Sequence, residues 1–236
     1  MNKHTKQNTI SMNDVDFSGK TDVSHIMSIF QQAVTEHTAL LDADAPAVKR
    51  KLGAKWVITR ARLEINECLH VGDSYTVETW PLEAKALRFG RSFIIEKDGR
   101  RIASAYTEWC LLDIDTNEVI RAKNLVMPIE TYLTDKAVSR PFSQKKAQME
   151  KSDAVYTKTM RVSDLDINRH VNNVSYIKMA LDCFDTKELE STDIKSFEVY
   201  YLSQCYEKEE ITMYRKDGCI EARRGDTPVF RCTVNA

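Results

Sequence analysis

The chain runs through one order of elements twice, and that repetition limits the folds open to it. From Asp22, the stretch DVSHIMSIFQQAVTEHTALL sets Ile26, Ile29, Phe30, Ala33, Val34, His37 and Leu41 on one helical stripe, with Thr21 or Asp22 placed to cap it. The period then changes to two. WVITRARLEI and DSYTVETWPLEA alternate, and RSFIIEKDGRRIASAYTEWCLLDID reads as a hairpin turning at Asp98-Gly99. Residues 128–153 lose the alternation and end in a lysine-rich tail. The pattern then restarts. AVYTKTMRV is a strand, and Val171, Val174, Ile177, Leu181 and Phe184 line one face of a second helix. KSFEVYYLSQ, EITMYRKDGCIEARRG and PVFRCTVN follow as strands, with a hairpin at Asp217-Gly218.

A single helix of this kind cannot bury its stripe without a sheet. The pattern therefore predicts an α+β architecture, a tandem (double) hotdog in which each half is one long helix wrapped by an antiparallel β-sheet. An unrelated pair of α+β domains is the alternative. The expected division is 1–135 for the first hotdog, 136–153 for the linker and 154–236 for the second.

With 42% apolar and 29% charged residues, and only 7 Gly and 5 Pro, the composition is that of a globular protein. A net charge of −1 gives no protein-wide basic surface for nucleic acid. Cys68, Cys110, Cys183, Cys205, Cys219 and Cys232 form no CxxC and sit mostly in apolar strands, which suits buried, reduced thiols rather than a zinc site or a disulfide framework. The N-terminal stretch lacks a signal-peptide core and no apolar run reaches membrane length, so a cytoplasmic location is expected.

DLDINRHVNN, residues 164–173, gathers short polar side chains just before the second helix. Asp164, Asp166 and Asn168 have the first spacings of a calcium loop, but Arg169 and Ser175 stand where that loop needs Gly and a bidentate acid. Capping explains one or two of the residues. It does not explain His170. Asp166, Asn168 and His170 alternate, so an extended segment would project them from one face. A carboxylate, an amide and an imidazole at a helix N-terminus supply a base, a carbonyl-binding donor and backbone N–H groups for an oxyanion, the parts of an acyl-transfer site.

DLDINRHVNNVSYI resembles the signature D-x-N-x-H-V-N-N of the acyl-acyl carrier protein thioesterases, known best from plant plastids. WVITRARLEI followed by VGDSYTVETWP is similar to first-half strands of that family, and YLSQC falls where the family has a Glu-Cys pair. The resemblance covers most of residues 20–235. It implies a double hotdog that hydrolyses the thioester of fatty acyl-acyl carrier protein to free fatty acid and carrier protein, ending fatty acid synthesis. No metal and no cofactor are expected. The partner is an acidic carrier protein bearing a phosphopantetheine-linked acyl chain, and the lack of a transit peptide suggests a bacterial, cytosolic member. Rival activities on the same fold are acyl-coenzyme A hydrolysis, hydration or dehydration, and acyl binding without catalysis. The Asp-x-Asn-x-His motif on a tandem repeat favours the hydrolase.

Carried over by the resemblance, the catalytic positions are Asp166, Asn168, His170 and Gln204. Gln204 stands where the family has Glu, and an amide cannot take a proton from water at neutral pH, so it is left to orient a water or donate to an oxygen. Asp166 is the expected base, or itself the nucleophile. Asn168 and helix N–H groups would hold the thioester oxygen, and His170 would orient Asp166 or the substrate. Cys205 with His170 and Asn168 offers a papain-like alternative. The first helix, with His25 and His37, has nothing comparable by sequence, and a His on an apolar stripe suits a core. By resemblance the first half shapes the acyl tunnel, with Met27, Ile29, Phe30 and Val34 as lining candidates; other substrate-binding residues are unassigned. Lys85, Arg88 and Arg91, with Arg100 and Arg101, are the densest basic stretch and a docking candidate. A double hotdog is viable as a monomer or a homodimer.

Overall fold

A computed structural model describes residues 2–143 and 145–236. They form two compact units, Met1–Arg140 and Pro141–Ala236.

In the first unit β1 (His4–Thr9) leads to α1 (Val23–Leu40), α2 (Ala45–Leu52), β2 (Ala54–Ile65), β3 (Ser74–Pro81), β4 (Phe89–Lys97), β5 (Arg100–Asp113) and the short β6 (Val119–Ile120). The strands pair antiparallel in the order β1-β3-β4-β5-β2, with β6 on β5. Of the stripe read from the sequence, Ile26, Ile29, Phe30, Ala33, His37 and Leu41 are buried and Val34 is half-buried. Phe30 packs on Phe93 of β4, ring centroids 4.9 Å apart. Asp22 is the cap, accepting the His25 N–H at 2.9 Å, while the Thr21 hydroxyl accepts the Leu69 N–H at 3.0 Å. The Asp98-Gly99 turn has φ of 51° and 72°, the two positive values a type I′ hairpin requires.

The second unit repeats the plan with β7 (Ala154–Thr159), α3 (Asn173–Leu181), α4 (Thr186–Ser191), β8 (Ser196–Tyr201), β9 (Glu210–Lys216), β10 (Cys219–Arg224) and β11 (Thr227–Asn235). Its order, β7-β9-β10-β11-β8, matches the first unit strand for strand. Val171, Val174, Ile177 and Leu181 are buried as the spacing predicts. Phe184 lies past the helix end, with the Arg215 guanidinium 3.8 Å from its ring centroid. The two Asp-Gly hairpins are not equivalent: one joins β4 to β5, the other β9 to β10.

The expectation of Arg91 as a docking cation needs correction. The stretch expected as the linker holds Ala137 and Met149 buried. The Glu64 carboxylate on β2 takes the Ser139 and Arg140 N–H groups at 2.8 and 3.2 Å, and Glu198 on β8 takes the Ser143 N–H at 2.8 Å. Arg91 is not a surface cation. It is 5% exposed, and its guanidinium meets His37 Nδ1 at 3.0 Å and the Thr79 hydroxyl at 3.2 Å. Burial pulls its pKa down to about 9, still charged at neutral pH. Met27, Ile29 and Phe30 sit in the closed α1–sheet core. An open cavity of about 750 Å³ in this unit lies between residues 83–87 and 121–132. No helix among the described residues is long and apolar enough to cross a membrane.

Candidate active site

The ten residues from Asp164 make a tight turn, not an extended segment, so alternation is not what brings Asp166, Asn168 and His170 together. Asp166 Oδ1 accepts the N–H of Asn168 at 2.8 Å and that of His170 at 3.2 Å. The Asp166 N–H bonds back to the His170 carbonyl at 2.8 Å, and Arg169 takes a left-handed φ of 62° to close the loop. Asp166 Oδ2 lies 3.4 Å from Asn168 Nδ2. One carboxylate oxygen therefore shapes the turn and the other stays open to the Asn168 amide and to solvent.

Each neighbour of the turn is fixed by a named bond. Asp164 is buried, held by the Lys158 ammonium at 2.6 Å and the Arg161 N–H at 2.9 Å, which is the opposite of a vacant calcium ligand. Asn172 caps α3 through its side chain on the Val174 N–H at 2.9 Å, and its carbonyl takes the Ser175 and Tyr176 N–H groups. Among the described residues that leaves the Asn173 N–H as the unpartnered donor at the helix start.

The segment after β8 lies against this turn. The Val171 N–H donates to the Cys205 carbonyl at 2.9 Å. The Tyr206 ring meets the His170 imidazole edge-on, centroids 5.1 Å apart, and the Tyr206 hydroxyl is 3.5 Å from Gln204 Oε1. Sequence reasoning brought out Gln204 and passed over Tyr206, whose only signal is its place two residues later. Cys205 offers the turn its carbonyl, while its side chain is 0% exposed. Burial pushes its thiol pKa up, and a thiolate nucleophile needs the reverse.

The first unit contains the same turn, though without the Asn and His side chains. Asp16 Oδ1 accepts the N–H of Ser18 at 2.8 Å and of Lys20 at 3.4 Å, and the Asp16 N–H bonds to the Lys20 carbonyl at 2.8 Å. Gly19, at φ 74°, stands where Arg169 does. The Thr21 N–H donates to the Leu69 carbonyl at 2.9 Å, as Val171 does to Cys205. The frame is shared, but Ser18, Lys20 and Cys68 occupy the places of Asn168, His170 and Gln204.

Residues 1–128 match the acyl-ACP thioesterase N-terminal domain, and residues 146–228 match the acyl-ACP thioesterase C-terminal domain. The chain belongs to the acyl-ACP thioesterase family. It is 26% identical over 194 residues to the chloroplastic acyl-[acyl-carrier-protein] hydrolase FATB3 of Cuphea viscosissima, a match covering 78% of this chain and 47% of that protein. It is 27% identical over 157 residues to the chloroplastic palmitoyl-acyl carrier protein thioesterase of Arabidopsis thaliana, covering 64% and 38%. The chain thus spans less than half the length of these two relatives. Solved structures of similar fold are an acyl-ACP thioesterase from Bacteroides thetaiotaomicron (TM-score 0.82, 22% identity, 98% of this chain and 96% of that one) and the 12:0-ACP thioesterase from Umbellularia californica (TM-score 0.84, 19%, 99% and 96%). The fold of this thioesterase-family chain is the double hotdog.

Proposed function

We propose that this chain hydrolyses the thioester of a fatty acyl group carried on acyl carrier protein, releasing free acid and carrier thiol. One observation carries the reading: two copies of one turn differ where chemistry would need them to. Ser18 and Lys20 leave the first turn with neither amide nor imidazole, whereas Asn168 and His170 give the second both, beside Gln204. Family membership supports the substrate class.

In the proposed sequence a water held at Asp166 Oδ2 attacks the acyl carbon as the carboxylate takes its proton. Asn168 Nδ2 and the Asn173 N–H stand ready to donate to the oxygen that becomes negative. Collapse of the tetrahedral intermediate breaks the C–S bond and expels the thiolate. A thiol pKa of about 8.5 lets that group leave with little help, so nucleophile activation and oxyanion stabilisation carry the rate. His170, its ring fixed by Tyr206, orients the carboxylate or the acyl group. We assign the chemistry to residues 154–236 and acyl-chain holding to residues 1–135, joined by 136–153, with the protein cytoplasmic.

Docking of the acidic carrier protein is assigned to cations on the first-unit surface. Lys85, Arg121 and Lys123 are exposed and make no ion pair among the described residues, whereas Arg88 faces Glu108 at 3.3 Å and Arg100 faces Glu67 at 2.8 Å. Such docking predicts a KM for carrier-bound substrate that rises with salt.

The test is incubation of the purified chain with acyl-carrier-protein thioesters from C8 to C18 and the matching coenzyme A esters, reading free acid and free thiol together. Stoichiometric release with a preference for the carrier supports the reading. Binding without release would contradict it.

A further inference from the structure

Gln204 stands on the segment that lies against the turn, and its surroundings say what an amide can do there. The strand end carrying it is clamped. Arg224 at the end of β10 meets both oxygens of Glu209 at 2.9 Å and reaches the Gln204 carbonyl at 3.4 Å, and Glu209 Oε2 accepts the Tyr206 N–H at 3.0 Å. The first unit repeats this clamp with other residues. Lys97, at the end of the matching β4, pairs with Asp73 at 2.6 Å, and Asp73 accepts the His70 N–H at 2.9 Å. The clamp is therefore architecture common to both units.

What the second unit adds is the line from Gln204 through Tyr206 to His170. The Tyr206 hydroxyl donates to Gln204 Oε1 at 3.5 Å while the same ring lies edge-on to His170. With Oε1 engaged, the free polar group of the side chain is its NH₂, and among the described residues Nε2 has no partner. Amide orientation follows from the bonds each end makes, and with Oε1 toward the Tyr206 hydroxyl the NH₂ faces away from it.

We infer that Gln204 is a hydrogen-bond donor to the thioester oxygen, an oxyanion contact oriented by Tyr206. The inference rests on the proposed hydrolysis. Tyr206 is a positioning residue: its hydroxyl turns the amide and its ring holds the imidazole.

The experiment compares wild type, Gln204→Leu, Gln204→Glu, Tyr206→Phe and the Gln204→Leu/Tyr206→Phe double variant, each checked for an unchanged melting transition, on one acyl-carrier-protein thioester from pH 5 to 8. Loss of an oxyanion donor lowers kcat of Gln204→Leu roughly 100-fold with little change in KM. Gln204→Glu is equally slow at pH 8, and its rate relative to wild type recovers as pH falls, because a protonated carboxyl donates and a carboxylate cannot. Tyr206→Phe loses about five-fold in kcat and adds nothing in the Gln204→Leu background. A Gln204→Glu variant as fast as wild type at pH 8, or a Tyr206→Phe loss that stays additive, overturns the assignment. In a wild type that turns over no thioester, the hydrolase reading fails on its own. The donor is then read from affinity for a ketone analogue of acyl-pantetheine with CH₂ in place of sulfur: weaker binding by Gln204→Leu supports it, and equal binding overturns it.

Discussion

Asp16 and Asp166 close the same turn in the two units, each accepting at 2.8 Å the N–H of the residue two positions on. A carboxylate that appears twice in one geometry, once beside Ser and Lys and once beside Asn and His, has an architectural task separable from chemistry. Replacing either Asp with Ala removes backbone hydrogen bonds from a half-buried turn at a cost of about 1 kcal/mol. The two variants should melt about 2–4 °C below wild type by calorimetry. A fall for Asp166→Ala alone would mean the two turns are not one device.

Cys205 is enclosed and its thiol is raised, whereas Cys68 is the exposed cysteine. Iodoacetamide at neutral pH should therefore alkylate Cys68 and spare Cys205, with hydrolysis retained, as read by peptide mass spectrometry and assay on one sample. Modification of Cys205 with matching loss of activity would restore the papain-like nucleophile.

Arg91 belongs to the core it shares with His37 and Thr79. Arg91→Glu puts an unpaired carboxylate in that site and should cost roughly 3–5 kcal/mol. Arg88, whose side chain is 62% exposed, should change stability by about 0.5 kcal/mol or less on conversion to Glu. Urea midpoints of the two variants check this, and equal midpoints would place Arg91 at the surface.

Glu64 holds the chain leaving the first unit. Burial alone would raise its pKa, but the Ser139 N–H and hydroxyl outweigh that and hold the carboxyl below its usual 4.5. A folded-state pKa below the unfolded one contributes stability above 4.5 that is lost as pH falls through the folded value. Glu64→Gln should thus lower stability by about 1 kcal/mol at pH 7 and by less at acid pH. A deficit that stays constant down to pH 3 would assign the effect to packing.

Much of the fold was legible because burial follows period. The α1 stripe from Ile26 to Leu41 and both Asp-Gly hairpins declare themselves by spacing and by residues that tolerate positive φ. The short α2 was missed although Asp44 caps it and Gly53 ends it at φ 60°, since eight residues give too little periodicity to weigh. Arg91 read as surface because a sequence shows a cation's charge and not the His37 that meets it from α1. The candidate site was legible as a list of residues but not as a shape. Alternation suggested an extended face, whereas the Asp166 carboxylate folds its neighbours into a turn. The first-unit copy was hidden because its frame survives through backbone bonds while Ser18 and Lys20 have replaced the side chains that make the motif recognisable.

The most direct measurement is kcat/KM of Asp16→Asn and Asp166→Asn side by side on a carrier-protein thioester. Both substitutions keep a side-chain oxygen for the turn, and only the second removes the proposed base. The account predicts Asp16→Asn within a few-fold of wild type and Asp166→Asn down by roughly 10² or more. Equal activity of the two folded variants would contradict it.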